Sequence, residues 1–280
     1  MIGLRPAPLR PLGVGEILDG AVRLVWRNAR AALSISVPFA VVRAGIGAWV
    51  TYAAIDSDSA LTIGTAGTLL LSLMFGTLVA GLLAPMLSSD LLGTQISARE
   101  SLQRVRRQVW PLIGLSLLVT LAEGAGLTAC VVGGVWMWGV WAVAAPALVL
   151  ERTGASQALS RSMALVRGTF WRVWGIRALG WLLTSVLSAL FSLPFQALAS
   201  YISNSDPLDQ SPSITHPGAY VVILAIGGIL SAAILQPVAA AIDLLIYTDL
   251  RMRKEGMDIV LTIPPESGPV TPGRAAAPAW

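Results

Sequence analysis

Charged residues are scarce in this sequence, at 12% of the chain, while hydrophobic residues make up 55%. A water-soluble domain carries roughly 25% charged residues, because ionised side chains must cover its surface. The mean hydropathy of +0.72 is also strongly apolar. This composition argues against a soluble domain and predicts an integral membrane protein. The net charge of +4 is explained by the positions of the basic residues, so we expect no nucleic-acid partner.

Histidine and cysteine are rarer still, since His216 and Cys130 are the only examples of each. One cysteine excludes an internal disulfide and a multi-cysteine metal site, and one histidine cannot supply a two-histidine site. The sequence also has no phosphate-binding loop of the Walker type. We therefore expect no metal, no cofactor, no catalytic residue and no enzymatic activity.

The segment from Gly124 to Ala129 matches the dinucleotide-binding pattern G-x-G-x-x-A. That pattern requires a preceding strand and a helix that opens at the glycines. Here it lies inside a long apolar run, where small residues allow two helices to approach closely. We interpret these glycines as packing residues.

Six apolar runs are candidates for crossing a bilayer, whose hydrocarbon core is about 30 Å thick. The fourth run is short, and we expect Gly133-Gly134 to turn the chain between the third and fourth. A single re-entrant hairpin here is the alternative, and it would leave four full spans. The sequence predicts an all-α polytopic membrane helix bundle with spans at 31–55, 61–87, 112–132, 135–150, 178–200 and 219–247.

All 19 basic residues except Arg43 lie in the amino-terminal segment, the second and fourth connections and the tail. Arg and Lys beside short loops stay on the cytoplasmic side. We therefore predict a multi-pass protein of the bacterial plasma membrane with both termini in the cytoplasm. The outer boundary then carries acidic residues, the histidine and aromatic rings suited to the headgroup layer: Asp56, Asp58, Asp206, Asp209, His216, Trp49, Tyr52, Trp136, Trp138, Tyr201 and Tyr220.

A pattern recurs three times along the chain. Before each pair of spans, apolar residues at i, i+4, i+7 and i+11 predict an amphipathic helix whose arginines face anionic lipid headgroups at the interface. A proline also precedes the end of each returning span and predicts a kink there. The residues concerned are Leu18, Val22, Val25 and Ala29; Ala98, Leu102, Val105 and Val109; Leu159, Met163, Val166 and Phe170; and Pro85, Pro146 and Pro237.

Arg43 and Glu123 are the charged residues that fall deep inside predicted spans. A charge near the bilayer centre costs about 2.5–3.5 kcal/mol on insertion scales, so it is usually shielded or functional. Both lie at a similar depth, which predicts a polar pair. That pair would be a structural ion pair or a site for a solute or headgroup; a protonated Glu123 with a snorkelling Arg43 is the third possibility.

The end of the last span carries Asp243, Asp249 and Arg251, which we interpret as interfacial anchors. Residues 1–255 are predicted to form a single membrane domain. Beyond them, residues 256–280 carry many prolines with little periodicity and are predicted to be a disordered cytoplasmic tail. Met257 to Ile263 could instead lie against the membrane surface.

Four segments resemble a bacterial membrane-protein family often labelled as the membrane domain of glycerophosphoryl diester phosphodiesterase. They are Arg10 to Asp19, Ala145 to Glu151, Leu159 to Gly168 and Tyr247 to Gly256. The resemblance implies the membrane fold. It does not carry the phosphodiesterase activity, which in proteins of that label belongs to a separate soluble barrel for which this chain has no room.

Three functions follow as hypotheses. The first is a non-enzymatic scaffold or regulatory component of a membrane complex, with membrane-protein partners. The second is a transporter or lipid-handling protein with a polar site at Arg43 and Glu123. The third, an intramembrane enzyme, would need paired catalytic groups at one depth, and the sequence shows no such pair beyond these two residues.

Overall fold

The structure is a computed structural model, and it describes residues 12–53, 58–202 and 216–255, with the side chains of residues 58–63 and 65 left out. These residues form an all-α bundle with no strand in the described part. A single 3-10 turn, Arg106–Gln108, accompanies the α-helices. In chain order these are α1 Val14–Arg27, α2 Ala29–Ala53, α3 Asp58–Leu91, α4 Ala98–Val105, α5 Val109–Ala129, α6 Val131–Val140, α7 Ala144–Glu151, α8 Ala155–Val166, α9 Phe170–Ile202 and α10 Pro217–Glu255.

Six segments of the described chain are long and apolar enough to cross a membrane, which confirms the predicted polytopic bundle. Several extend further than predicted, since the fifth begins at Phe170 and the sixth runs to Glu255. The predicted fifth span begins just after Arg177, and the predicted sixth span ends at Tyr247, before the charged residues that follow it. The helices continue because Arg172 and Arg177 find partners inside the protein.

The element order repeats three times as a short amphipathic helix followed by two spans. Burial repeats with it: Ala21, Ser101 and Ser162 are each 0% exposed, at sequence offsets of 80 and 61 residues. The next residue in each repeat, Val22, Leu102 or Met163, is 43% exposed. Equivalent positions thus have equivalent environments, which supports a threefold helix-hairpin repeat.

The buried face of the amphipathic helices begins one residue earlier than expected. In α1 the face turned into the protein is Ile17, Ala21, Leu24 and Asn28, whereas the predicted stripe included the exposed Val22. Apolar residues cover more of the helix surface than the four predicted positions do. The protein core contacts only one side of that apolar surface. The exposed edge is left for lipid, as in a helix lying at an interface.

Ion pairs gather the amphipathic helices at one end of the bundle. Asp90 near the end of α3 binds Arg27 at 2.8 Å, and Glu151 at the end of α7 binds Arg161 of α8 at 2.8 Å. Helix α4 joins them because Ser101 donates a hydrogen bond to the Leu82 carbonyl at 2.9 Å. We call this end, where α1, α4 and α8 meet the last turns of α3, α7 and α10, the basic end.

Exposed tryptophans mark the basic end as well. Trp26, Trp110 and Trp171 stand beside the starts of α2, α5 and α9, and each is about 80% exposed. Trp49, Tyr52, Trp136 and Tyr201 are exposed at the other end, where the sequence placed them. Two aromatic belts at opposite ends are typical of a membrane protein. The sequence pattern predicts only the belt at the outer boundary.

The turn between α5 and α6 lies at Cys130, not at Gly133-Gly134 as expected. Cys130 is extended, with φ −161° and ψ 114°, while both glycines lie inside α6. Their small size lets α6 cross α5 closely: a methyl group on Gly126 would lie 3.0 Å from the Gly134 Cα. Gly126 thus serves packing, as interpreted from the sequence.

The fourth span is broken into α6 and α7 by a turn over residues 141–143. Pro146 lies in the first turn of α7, where its missing N–H is not needed. A continuous helix would have required that N–H to bond the Ala142 carbonyl. Pro146 therefore marks a helix break rather than a kink, while Pro85 and Pro237 lie within α3 and α10.

Some predictions fall outside the described residues. They concern the loop aspartates Asp56, Asp206 and Asp209, and the tail from residue 256 with its segment Met257 to Ile263.

Candidate functional site

A cavity of about 220 Å³ lies inside the bundle, between α3, α5, the broken fourth span, α9 and α10. We call it the chamber. Most spans in a bundle meet through apolar side chains, but polar and charged groups converge here from four helices. They are Ser72 and Thr77 of α3, Glu123 of α5, Arg177 and Thr184 of α9, and Gln236 and Asp243 of α10.

Glu123 is the least satisfied charged group of the chamber. Its residue is only 4% exposed, and its carboxylate accepts no hydrogen bond from the described residues. The charged groups that act on it electrostatically are Arg177 and Asp243. A buried carboxylate without a hydrogen bond is costly, so the chamber presents an acceptor ready for a donor.

Arg177 and Asp243 form the ion pair of the chamber, with Arg177 Nε 3.2 Å from Asp243 Oδ1. Arg177 also donates to the Trp138 carbonyl and stacks over the Trp138 ring, 4.7 Å from its centroid. Both charged side chains are less than one-fifth exposed. Trp138, expected at the outer boundary, is instead part of the chamber wall.

The broken span explains how polar groups are accommodated here. The break frees backbone carbonyls, and side chains reach them: Arg177 bonds the Trp138 carbonyl, and Ser162 bonds the Val140 carbonyl at 2.7 Å. Two atoms of chamber-lining residues are buried without a partner among the described residues, the donor Trp141 Nε1 and the acceptor Gln236 Oε1.

Arg43 and Glu123, the predicted polar pair, are not paired. Arg43 Nη1 donates to Ser72 Oγ at 3.1 Å and lines a second cavity, of about 230 Å³, between α2, α3 and α10. No ion pair joins it to Glu123 within the part of the chain that the structure describes. The similar depth of the two residues stays a prediction, and depth does not fix the direction in which a helix presents a side chain.

The predicted anchors have different surroundings from one another. Asp243 lines the chamber and pairs with Arg177. Asp249 is 2% exposed and binds Arg172, Arg253 and the backbone N–H of Leu12.

Arg251 binds Glu255 at 2.8 Å and lies over the Tyr247 ring. Both partners belong to the last turns of α10. The interfacial position of Asp249 and Arg251 stays a prediction.

Sequence reasoning missed Arg177 because it assigned the arginines up to residue 177 to the connection before the fifth predicted span, whereas Arg177 lies inside α9. A signal was present in the repeat. At the same offsets of 80 and 61 residues, Arg177 is equivalent to Ser36 and Ser116, which are both 0% exposed. A charged residue in a register otherwise held by buried serines marks a polar interior position.

Fold and site together define the protein as a multi-pass membrane helix bundle with a charged internal chamber. No protein-family model, curated protein or solved structure matches this chain. The resemblance to the phosphodiesterase-associated membrane family therefore stays a prediction.

Proposed function

We propose that this chain is a transporter or lipid-handling protein whose chamber receives a small cation or the amine of a lipid headgroup. The single observation that carries the proposal is the buried, unbonded carboxylate of Glu123 beside the Arg177–Asp243 pair. With both carboxylates ionised, the two carboxylates and one guanidinium leave the chamber one positive charge short. An uncompensated buried charge is unfavourable, and a cationic occupant removes it.

The walls and size of the chamber suit such an occupant. Trp138, Trp141 and Trp181 line it, and tryptophan faces attract cations. Pockets for drug-sized ligands span about 300–1,000 Å³, so a chamber of about 220 Å³ fits a proton with its waters, an ammonium ion or one headgroup amine. It is too small for a large solute.

The broken fourth span supports a role in transport. Irregular backbone at membrane depth is tolerated where it is buried in protein or lines a cavity. Transporters commonly build their binding sites from such discontinuous helices near the midplane, between structural repeats. The break over residues 141–143 borders the chamber at Trp141 and Ala142.

The basic end is proposed to face the cytoplasm of a bacterial plasma membrane. The arginines of α1, α4 and α8 are there, and basic residues are retained on the cytoplasmic side. The exposed tryptophans Trp26, Trp110 and Trp171 then lie in the inner headgroup layer.

A scaffold or regulatory role in a membrane complex is the second candidate, and α9 is the observation that favours it. Only 6% of the residues in an apolar 18-residue stretch of α9 are buried, compared with 28% or more in the corresponding stretch of every other candidate span of the described chain. The exposed surface of α9 is open to lipid or to a partner helix. A cross-linker placed on Val186 or Leu190, both exposed on α9, would capture a partner in native membranes if this role is correct.

The chamber is tested in proteoliposomes with three probes: radiolabelled methylammonium, a proton gradient read by an internal dye, and acyl-labelled phosphatidylethanolamine followed by dithionite quenching. Glu123→Gln removes the charge at nearly constant volume. Glu100→Gln is the matched control, because Glu100 is exposed and pairs with Arg104 on α4, outside the chamber.

We expect at least one probe to move faster with the wild type than with empty vesicles. Glu123→Gln should abolish that rate and Glu100→Gln should preserve it. Methylammonium or proton flux assigns a soluble cation, and phosphatidylethanolamine movement assigns the headgroup. Equal rates for wild type and Glu123→Gln with all three probes would reject the chamber as the functional site.

A further inference from the structure

The second cavity, which we call the Arg43 inlet, has a charge opposite to that of the chamber. Arg43 is the charged residue of its lining, and the other lining residues are small or apolar apart from two threonines. They are Ala44, Gly47, Ala48, Thr51, Thr68, Leu71, Val221, Leu224, Ala225 and Gly228.

Most of the donors of Arg43 are unused by the described residues. A guanidinium has five N–H donors, and Arg43 makes one hydrogen bond, to Ser72 Oγ. The hydroxyl of Ser72 itself donates to the Thr68 carbonyl at 2.8 Å, so Ser72 can only accept from Arg43. This contact positions the guanidinium and leaves its charge without an acidic partner.

The inlet runs from Arg43 toward the end of the bundle opposite the basic end. Thr51 lies eight residues beyond Arg43 on α2, or about 12 Å at the rise of an α-helix. Val221, near the start of α10, lines the inlet at that same end. Glycine and alanine keep the passage open, and a methyl group added at Gly228 would touch nothing within 4 Å.

We propose that the Arg43 inlet binds a phosphate or carboxylate group, supplied by an anionic lipid headgroup or by a free anion. An arginine inside a bilayer is unfavourable unless it is paired or snorkels to water, and Arg43 turns to Ser72 instead. The planar guanidinium binds phosphate and carboxylate oxygens through two parallel hydrogen bonds. The residues of the inlet leave room for such a group beside it.

This site is independent of the proposed function. It lies on other helix faces than the chamber, apart from Ser72 of α3, and takes a ligand of opposite charge. Its failure would leave the cation proposal intact, because Glu123→Gln and the Arg43 variants are read with different probes.

The test uses the full chain in phosphatidylcholine nanodiscs, with and without phosphatidylglycerol, and in detergent with inorganic phosphate. Bound lipid is counted by native mass spectrometry, and phosphate binding by the rise in melting temperature. Arg43→Gln removes the charge. Arg43→Lys retains the charge but lacks the two parallel N–H donors of a guanidinium. Gly228→Leu keeps Arg43 and fills the inlet. Gly45→Leu is the control, since Gly45 is an exposed glycine of α2 outside the inlet.

We expect Arg43→Gln and Gly228→Leu to weaken binding by about tenfold or more, the effect of losing a charge-assisted hydrogen-bonding group. Arg43→Lys should lose less, and Gly45→Leu should bind as the wild type does. Phosphatidylglycerol binding assigns a lipid, and phosphate binding assigns a free anion. The proposal is overturned if neither probe binds, or if Arg43→Gln and Gly228→Leu both bind like the wild type.

Discussion

Arg43 and Glu123 occupy equivalent positions in the first two repeats, 80 residues apart, yet their side chains line separate cavities. The third equivalent, Thr184, lines the chamber with Glu123. The three repeats therefore place a polar residue at one level of the first helix of each hairpin. Because the residues at that level differ in charge, α3 borders a basic inlet that contains Arg43 and an acidic chamber that contains Glu123.

The Arg177–Asp243 pair is predicted to stabilise the bundle through mutual compensation. Asp243→Asn should lower the free energy of unfolding by about 1–3 kcal/mol, because it removes the charge-assisted hydrogen bonding between Asp243 and Arg177. Replacing both, as Arg177→Met with Asp243→Asn, should recover part of that loss. Thermal unfolding in detergent measures the four members of the cycle, and strictly additive losses would argue against a coupled pair.

Asp249 is predicted to hold the segment before α1 on the bundle. Its buried carboxylate accepts from the Leu12 N–H at 2.8 Å and from Arg172 at 3.1 Å. Asp249→Ala should cost about 3–5 kcal/mol, since it leaves arginine charges uncompensated. Hydrogen exchange of the Leu12 amide should rise with it.

Asp19→Asn is the control for Asp249→Ala. Asp19 forms an exposed pair with Arg23 one turn along α1, and such pairs contribute about 0.3–0.5 kcal/mol. Unchanged exchange at Leu12 in Asp249→Ala would contradict the role assigned to Asp249.

Close packing of α5 and α6 is predicted to depend on Gly134. A Cβ at this position would lie 2.6 Å from Leu127 Cγ and 2.8 Å from the Leu127 backbone nitrogen. Gly134→Ala should therefore destabilise by about 1–3 kcal/mol, as overpacking does. Gly114→Ala has open space and should be neutral or stabilising by up to about 1 kcal/mol through helix propensity. Melting temperatures that rank the two variants in the reverse order would show that the helices do not approach here.

Labelling of the native cysteine is predicted to report orientation. Cys130 is exposed at the turn between α5 and α6, at the end away from α8. A membrane-impermeant maleimide applied to intact cells should react with it. In a Cys130→Ser background, Ser156→Cys on α8 should react only after permeabilisation. The opposite pattern would place the basic end outside the cytoplasm.

The sequence predicted much of the architecture because lipid imposes few choices. A long apolar run must satisfy its own backbone hydrogen bonds and therefore becomes a helix, which accounts for the spans containing Arg43, Glu123 and Asp243. The repeat was visible because equivalent residues such as Val25, Val105 and Val166 recur at fixed offsets. Depth along each helix followed from the residue count alone.

Only the tertiary structure decided which side chains lie beside Arg43 and Glu123. Composition and spacing predict a similar depth for Arg43 and Glu123, but the rotation of each helix about its axis turns Arg43 toward Ser72 and places Glu123 in the chamber with Arg177. That rotation depends on close contacts such as Gly126 with Gly134, which involve residues of different helices. Hydrophobicity determines how far a residue sits in the bilayer, whereas helix packing determines what it faces, and the two cavities arise from the packing.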